Sequence, residues 1–175
     1  MELKSIDFTH FNLRPVQQWD NQWFLLTAGN FARKHFNSMT VAWGSIGVMW
    51  SKPFVQVVVR PTRYTYQFMN EYDTFTLCAF PKAYRQALTL LGSRSGRDGD
   101  KIGASGLTPI PATQVTAPAY AEAELILECR KIYWDDFEPV RFLDASIENN
   151  YSQSDYHRIY FGEILTIAGT SQYHS

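Results

Sequence analysis

The sequence has 175 residues, of which 45% are hydrophobic, 15% aromatic and 19% charged, and its formal net charge is −1. This composition supplies a core for one ordinary domain and excludes disorder, while the near-zero charge excludes the basic surface that nucleic acid requires. No apolar run approaches the roughly 18 residues of a membrane span, and the start MELKSIDFTH lacks the apolar core of a signal peptide. We therefore expect a single cytoplasmic domain over residues 1–175.

Taken in chain order, the hydrophobic pattern predicts about six strands and few helices. The predicted strands are 23–28, 39–46, 54–59, 75–80, 124–134 and 159–167. Helices are predicted over 64–71 and 82–91, a glycine-rich loop over 92–106, irregular chain over 107–119 and a turn over 135–139. Strands that outnumber short helices favour a mainly β protein, a small barrel with helices packed outside it.

Several kinds of chemistry are absent from the sequence. The four histidines lie far apart without the spacing of a zinc site, so we expect no metal. Nucleophile-elbow, Walker and dinucleotide fingerprints are also missing. Cys78 and Cys129 lie in predicted strands, and two thiols without a signal peptide indicate reduced, buried residues.

A small polar cluster, Asn37-Ser-Met-Thr40, opens the second predicted strand. Since side chains alternate along a strand, Ser38 and Thr40 share one face and Met39 points to the other. Such a strand could border a flat ring that needs apolar contact and polar partners at its edge. The alternative is a strand entry with a turn-forming Asn-Ser.

A basic, hydroxyl-rich turn, Arg60-Pro-Thr-Arg-Tyr-Thr65, connects a buried strand to a helix. Thr62 or Thr65 can cap that helix, and two arginines beside its first N–H groups suit a phosphate. The alternative is a capped helix with solvated arginines. The loop over residues 93–101 adds three basic residues and two serines on a flexible backbone, although it also suits a mobile surface loop.

The succession WFLLTAGN…NSMTVAWGSIGVMWSKPFVQVVVRPTRYTYQFM, followed by FTLCAF, SRSGRDGDK and HRIYFGEIL, resembles the flavin reductase-like, flavoredoxin-type family of the FMN-binding split-barrel superfamily. The likeness covers residues 20–105 and the last strand. It implies a Greek-key split β-barrel with a few short peripheral helices. It also implies a homodimer with FMN near the subunit interface.

The resemblance also implies roles for individual residues. Asn37, Ser38, Met39 and Thr40 would lie along the isoalloxazine and ribityl chain, partly through backbone groups. The phosphate region would be held by Arg60, Arg63, Tyr64 and Thr65, with Ser95 and Lys101 approaching from the loop. His157 matches a position that in some relatives lies near the nicotinamide or flavin edge, the alternative being a surface histidine. Trp43 and Trp50 are expected at the barrel wall or dimer interface, the alternative being that they stack on the flavin.

Three functions remain open on this basis. The first is an FMN-dependent oxidoreductase in which NAD(P)H reduces the flavin, which then passes electrons to free flavin or an acceptor. The second is a flavoredoxin-like electron-transfer protein that lacks its own nicotinamide site and relies on a redox partner protein. The third is a non-catalytic FMN-binding protein. Hydride transfer to bound flavin requires no acid–base motif of the protein, which is consistent with the missing signatures.

Overall fold

The computed structural model describes residues 2–175 and is dominated by antiparallel strands. The strands are β1 Lys4–Ser5, β2 Phe24–Asn30, β3 His35–Val41, β4 Gly44–Met49, β5 Lys52–Val59, β6 Thr74–Ala79, β7 Pro109–Ile110, β8 Ala119–Tyr120, β9 Leu125–Asp136 and β10 Arg158–Gly169. The α-helices are α1 Tyr64–Glu71, α2 Arg85–Ser93 and α3 Lys101–Ser105. Shorter helical turns occupy Phe8–His10, Gln17–Gln22, Lys82–Tyr84, Pro139–Arg141, Ala145–Asn150 and Ser171–Tyr173.

The main sheet runs in the order β3-β2-β6-β9-β10-β5-β4, and β1 adds to β10. Its two end strands, β3 and β4, are consecutive in the chain and only Ala42 and Trp43 lie between them. A link of this length spans roughly 10 Å at most, so the two ends of the sheet must lie close together and the sheet must curl. Because β3 and β4 do not pair with each other, the barrel is split. The expected split β-barrel is confirmed.

The central strands are buried on both faces. Leu26 and Leu77 belong to the cluster that fills the barrel, whereas the adjacent Leu25 and Cys78 belong to a second cluster outside it, packed against α2 through Leu88. Alternation along a strand explains how neighbouring residues reach different clusters. The helix α2 therefore covers the outer face of the sheet, close to the end of β3.

Both cysteines are free and buried, as expected from the sequence. Burial raises the pKa of the Cys78 thiol to about 12, so the group is protonated and unreactive.

Two predicted boundaries were wrong. The predicted strand 39–46 is divided between β3 and β4, because the chain crosses from one end of the sheet to the other at Ala42 and Trp43. The predicted loop 92–106 contains α3, a helix of five residues that is too short to show a helical period. Asp100 caps α3 by accepting a hydrogen bond of 2.8 Å from the Gly103 N–H.

The predicted turn 135–139 was also wrong. The strand β9 continues to Asp136, which pairs with Arg158 at the start of β10. The chain between these strands, residues 137–157, forms a long connection of two short helical turns and irregular backbone, which we call the strap. The strap matters for function because it reaches the end of β5 and the region of the candidate site.

Candidate functional site

The candidate site consists of two adjoining cavities where β3 and β5 end and α1 begins. The first, the strand cavity, has a volume of about 180 Å³ and is lined by residues 39–43, Val58, Arg60, Arg63 and His157. The second, the turn cavity, has a volume of about 80 Å³ and is lined by Met39, residues 62–65, residues 91–95 and Lys101. Met39 and Arg63 line both cavities, so the two lie side by side.

Side chains of the polar cluster alternate along β3 as predicted, but two hydroxyls are already bonded within the protein. The buried Ser38 hydroxyl lies 2.8 Å from Thr27 Oγ1 and 2.6 Å from the Tyr120 hydroxyl. Thr40 donates to the Leu88 carbonyl of α2 at 2.5 Å. Thr40 borders the strand cavity, whereas Ser38 is fully buried and lines neither cavity.

Asn37 joins β3 to α1 and to the loop after α2. Its Nδ2 donates to Thr65 Oγ1 at 2.7 Å, and both residues are buried. A Cβ at Gly96 would lie 2.3 Å from Asn37 Oδ1 and 2.9 Å from Tyr64 Cδ1. Only glycine fits so close an approach, and this contact holds the loop against the start of the helix.

The start of α1 lacks a side-chain cap. Arg63 occupies the N-cap position with extended backbone and makes no capping hydrogen bond, so the expectation that Thr62 or Thr65 caps the helix was wrong. Thr65 lies inside the helix instead. The first N–H groups of an α-helix have no partner within it, and an uncapped start therefore presents donors suited to an anion.

Three cations that line the turn cavity, Arg63, Arg94 and Lys101, have no carboxylate partner among residues 2–175. Arg63 contacts only the Gly92 carbonyl, at 3.3 Å. The buried Lys101 donates to the carbonyls of Leu91 and Arg94 at 2.8 and 3.0 Å. Burial and, secondarily, the positive charge of Arg63 lower the pKa of Lys101 to about 8. A bound anion would relieve this repulsion.

Arg60 lies beside the strand cavity, but its charge is paired. One guanidinium nitrogen donates to both carboxylate oxygens of Asp155 at 2.9 and 3.0 Å, and another donates to the Asn150 carbonyl at 2.8 Å. The guanidinium also lies over the Tyr151 ring, 5.1 Å from its centre. In this arrangement Arg60 joins the strap to the barrel, so Arg63 is the one of the two arginines in the turn 60–65 that is left to receive an anion.

The loop after α2 brings Ser95 to the turn cavity. Its hydroxyl accepts a hydrogen bond of 3.2 Å from the Arg97 N–H. The Arg97 guanidinium in turn lies over the Tyr64 ring, 4.9 Å from its centre. Tyr64 therefore borders the cavity with its ring covered by the loop.

His157, the last residue of the strap, also lines the strand cavity. It is buried, and its Nδ1 lies 2.9 Å from the Tyr151 hydroxyl. Its ring lies 5.3 Å from that of Trp43, centre to centre. Burial, with a further contribution from the positive charge of Arg60, lowers the pKa of His157 to about 4, so the imidazole is neutral at pH 7.

Most of the predicted site residues line the two cavities: Met39, Thr40, Arg60, Arg63, Tyr64, Thr65, Ser95, Lys101 and His157. Asn37 lies behind them, bonded to Thr65, and Ser38 is buried away from both cavities. The structure also adds residues to the region. Trp43 lines the strand cavity and remains half exposed, although the sequence suggested the barrel wall or a dimer interface. Gly96 and Tyr151 had no predicted role. The Gly-rich composition of the loop is a signal for Gly96, whereas the irregular pattern of the strap gives none for Tyr151.

The described residues offer neither a cluster of metal ligands nor a helix suited to crossing a membrane. Within residues 2–175, no group of three or more His, Cys, Asp or Glu side chains is arranged to hold a metal ion. The helices over the same range are too short or too polar to cross a bilayer.

A split barrel with an uncapped helix start, unpaired cations and an adjoining aromatic cavity defines a class of protein suited to a flat, phosphorylated ligand. Residues 21–172 match the family model described as flavin reductase like domain. The chain therefore belongs to the flavin reductase-like family. This membership supports a flavin cofactor and a redox role.

Solved structures of the same architecture agree with this assignment. Flavoredoxin of Desulfovibrio vulgaris (Miyazaki F) is 25% identical, with a TM-score of 0.66 over 86% of this chain and 70% of that chain. An FMN-binding domain of a flavin reductases-like enzyme from Shewanella baltica OS155 is 19% identical, with a TM-score of 0.70 over 98% and 78%. An NADH:FAD oxidoreductase of Streptomyces globisporus C-1027 is 18% identical, with a TM-score of 0.64 over 86% and 76%. No curated protein matches the chain at a significant level.

Proposed function

We propose that the protein binds FMN and transfers electrons from NAD(P)H to the flavin and then to free flavin or another acceptor. The observation that carries this proposal is the pair of cations, Arg63 and Lys101, beside the uncapped start of α1. Family membership supports a flavin as the ligand. Bound FMN would supply the hydride-accepting ring, and the protein would supply its binding and orientation.

The turn cavity fits the phosphate group. A phosphate monoester carries a charge of about −1.5 to −2 at neutral pH, which matches two cations and a helix start. Arg63 is exposed and can rotate toward the anion, whereas Lys101 is fixed by its two carbonyl partners. Ser95, at the edge of the same cavity, can donate its hydroxyl hydrogen to a phosphate oxygen.

The strand cavity fits part of the ring system. Met39 supplies an apolar contact at the junction of the two cavities, and Trp43 supplies an aromatic face. His157 brings a neutral imidazole to the same space. These residues can exclude water from one face of a planar ring and offer a polar group at its edge.

We further propose a homodimer. An aromatic patch formed by the turn between β4 and β5 together with β9 and β10 includes Trp50, whose ring centre lies 6.1 Å from those of both Tyr133 and Phe161. Trp50 is 59% exposed and Tyr133 is 45% exposed, and exposed aromatic side chains of this size favour association with a partner surface. A second copy on this patch is expected, and sedimentation of wild-type protein beside Trp50→Lys tests it. Equal monomeric behaviour of both proteins would contradict the dimer.

A flavoredoxin-like role is the second candidate, favoured by the 25% identity with a flavoredoxin. In that role a redox partner protein, not NAD(P)H, would reduce the flavin. A protein that binds FMN without exchanging electrons is the remaining outcome.

The absorbance spectrum of protein mixed with FMN, followed by anaerobic titration with NADH and NADPH, separates these functions. Bleaching by a nicotinamide supports the oxidoreductase, and bleaching only by dithionite or a reduced protein supports the flavoredoxin-like role. Reduced protein that passes electrons to no acceptor would leave a binding protein. Failure to bind FMN at millimolar excess would reject all three.

A further inference from the structure

We infer that Tyr151 is a positioning residue that fixes the ring and tautomer of His157, so that the Nε2–H of His157 faces the strand cavity as a neutral hydrogen-bond donor. This inference rests on the proposed function for its effect on flavin chemistry. The arrangement of the two side chains itself does not depend on a bound flavin.

The hydrogen-bond partners determine which atom carries the proton. The Tyr151 hydroxyl has one partner among residues 2–175, the Nδ1 of His157 at 2.9 Å. If Nδ1 carried the hydrogen, the tyrosine O–H would be left without an acceptor in a buried position, which is unfavourable. If the tyrosine O–H donates to Nδ1, the hydroxyl is satisfied, and the donor without a protein partner is the imidazole N–H, which is not fully buried. The imidazole hydrogen then lies on Nε2.

The Nε2 atom is open to the cavity. It has no hydrogen-bond partner in the described chain. The fully buried side-chain atoms without a partner are Gln18 Oε1 and Trp19 Nε1, so the Nε2 of His157 is not fully buried. Since His157 lines the strand cavity, its Nε2–H can reach an acceptor there, such as a carbonyl oxygen or a ring nitrogen.

Packing prevents the imidazole from turning. Its ring lies 5.3 Å from that of Trp43 on one side and 6.4 Å from that of Phe137 on another. Tyr151 is itself held by a stacked Phe142 ring at 5.9 Å and by the guanidinium of Arg60 at 5.1 Å. Tyr151 therefore orients His157 from behind, since Tyr151 itself does not line the strand cavity.

The test compares Tyr151→Phe with Tyr156→Phe. The first variant removes the hydroxyl on Nδ1 and keeps the stacked ring. The second removes a neighbouring strap hydroxyl that donates to Glu148 and does not contact His157. Nitrogen-15 NMR of the flavin-free proteins, with the His157 signals assigned by His157→Gln, reports the tautomer directly. Wild type and Tyr156→Phe should show the Nε2–H form alone, and Tyr151→Phe a mixture.

The second measurement uses the FMN-loaded proteins. The limiting rate of bleaching at saturating NAD(P)H should fall about tenfold in Tyr151→Phe and stay at the wild-type value in Tyr156→Phe, while FMN affinity stays unchanged in both. An Nδ1–H tautomer in wild-type protein would overturn the inference, whether or not the variants fold. An unchanged tautomer and rate in Tyr151→Phe would do the same. If the protein does not bind FMN, the proposed function is rejected. The tautomer measured on the flavin-free proteins then decides the inference by itself.

Discussion

Replacing Arg63 with alanine tests the phosphate site most directly, because its guanidinium borders both cavities and forms no ion pair among residues 2–175. Hydrogen bonds to charged groups contribute about 1.5–3 kcal/mol each. Arg63 is exposed, so solvent and salt screen its charge and the lower part of that range applies. We expect a loss of about 1.5–2 kcal/mol, which raises the dissociation constant for FMN roughly 10- to 30-fold.

Flavin fluorescence titration at low ionic strength measures this loss. Arg33→Ala is the matched control, since Arg33 is an exposed arginine in the turn after β2 and lines neither cavity. Its affinity should equal that of wild type. Raising the salt concentration should narrow the difference between the Arg63 variant and wild type, because a screened charge contributes less. Wild-type affinity in a folded Arg63→Ala protein would refute the placement of the phosphate.

Three further predictions concern the surroundings of the site. Gly96→Ala should weaken FMN binding about tenfold, because its Cβ would lie 2.3 Å from Asn37 Oδ1. In an Asn37→Ala background the same change should lower FMN affinity by less. An equal loss of affinity in both backgrounds would count against the steric explanation. The pKa of His157 is about 4 in the folded protein against an ordinary value of 6.5, so the unfolded chain binds the extra proton between these values. Stability should therefore fall as pH drops through this range, by up to about 3 kcal/mol in urea unfolding, and His157→Gln should lack this loss. A double-mutant cycle of Arg60→Ala and Asp155→Ala should give a coupling of about 1 kcal/mol in the same unfolding assay, and a coupling of zero would show that the ion pair does not hold the strap.

Much of the fold was predictable because its elements have strong local patterns. The helix α1 occupies the predicted residues 64–71, and the central strands lie within a few residues of their expected bounds. The division of 39–46 into two strands was not predictable, since an apolar run continues across Ala42 and Trp43 without a turn signal other than Gly44. Pairing with opposite ends of a curled sheet decides that break, and such pairing leaves no local trace in the sequence.

The site was predictable in its location more than in its contacts. Residue types in the turn 60–65 indicated an anion site, and the family resemblance favoured Arg60 over Arg63 for the phosphate, whereas the contacts favour Arg63. That distinction depends on Asp155, 95 residues along the chain from Arg60, which takes the charge of one arginine and leaves the other. The strap that carries Asp155 and Tyr151 has no regular period, so its approach to the barrel could be found only from the folded chain.

The gap between β3 and β4 has a consequence for how a ligand affects the barrel. Elsewhere in the main sheet neighbouring strands are joined by backbone hydrogen bonds, but these two end strands are connected only through Ala42 and Trp43. The strand cavity borders this seam, between the end of β3 and Val58 of β5. A molecule bound there contacts β3 on one side and β5 on the other, and so stabilises the open side of the barrel. Its arrival should slow amide hydrogen exchange at the ends of β3 and β5 together, whereas a ligand held only at the surface would leave that exchange unchanged.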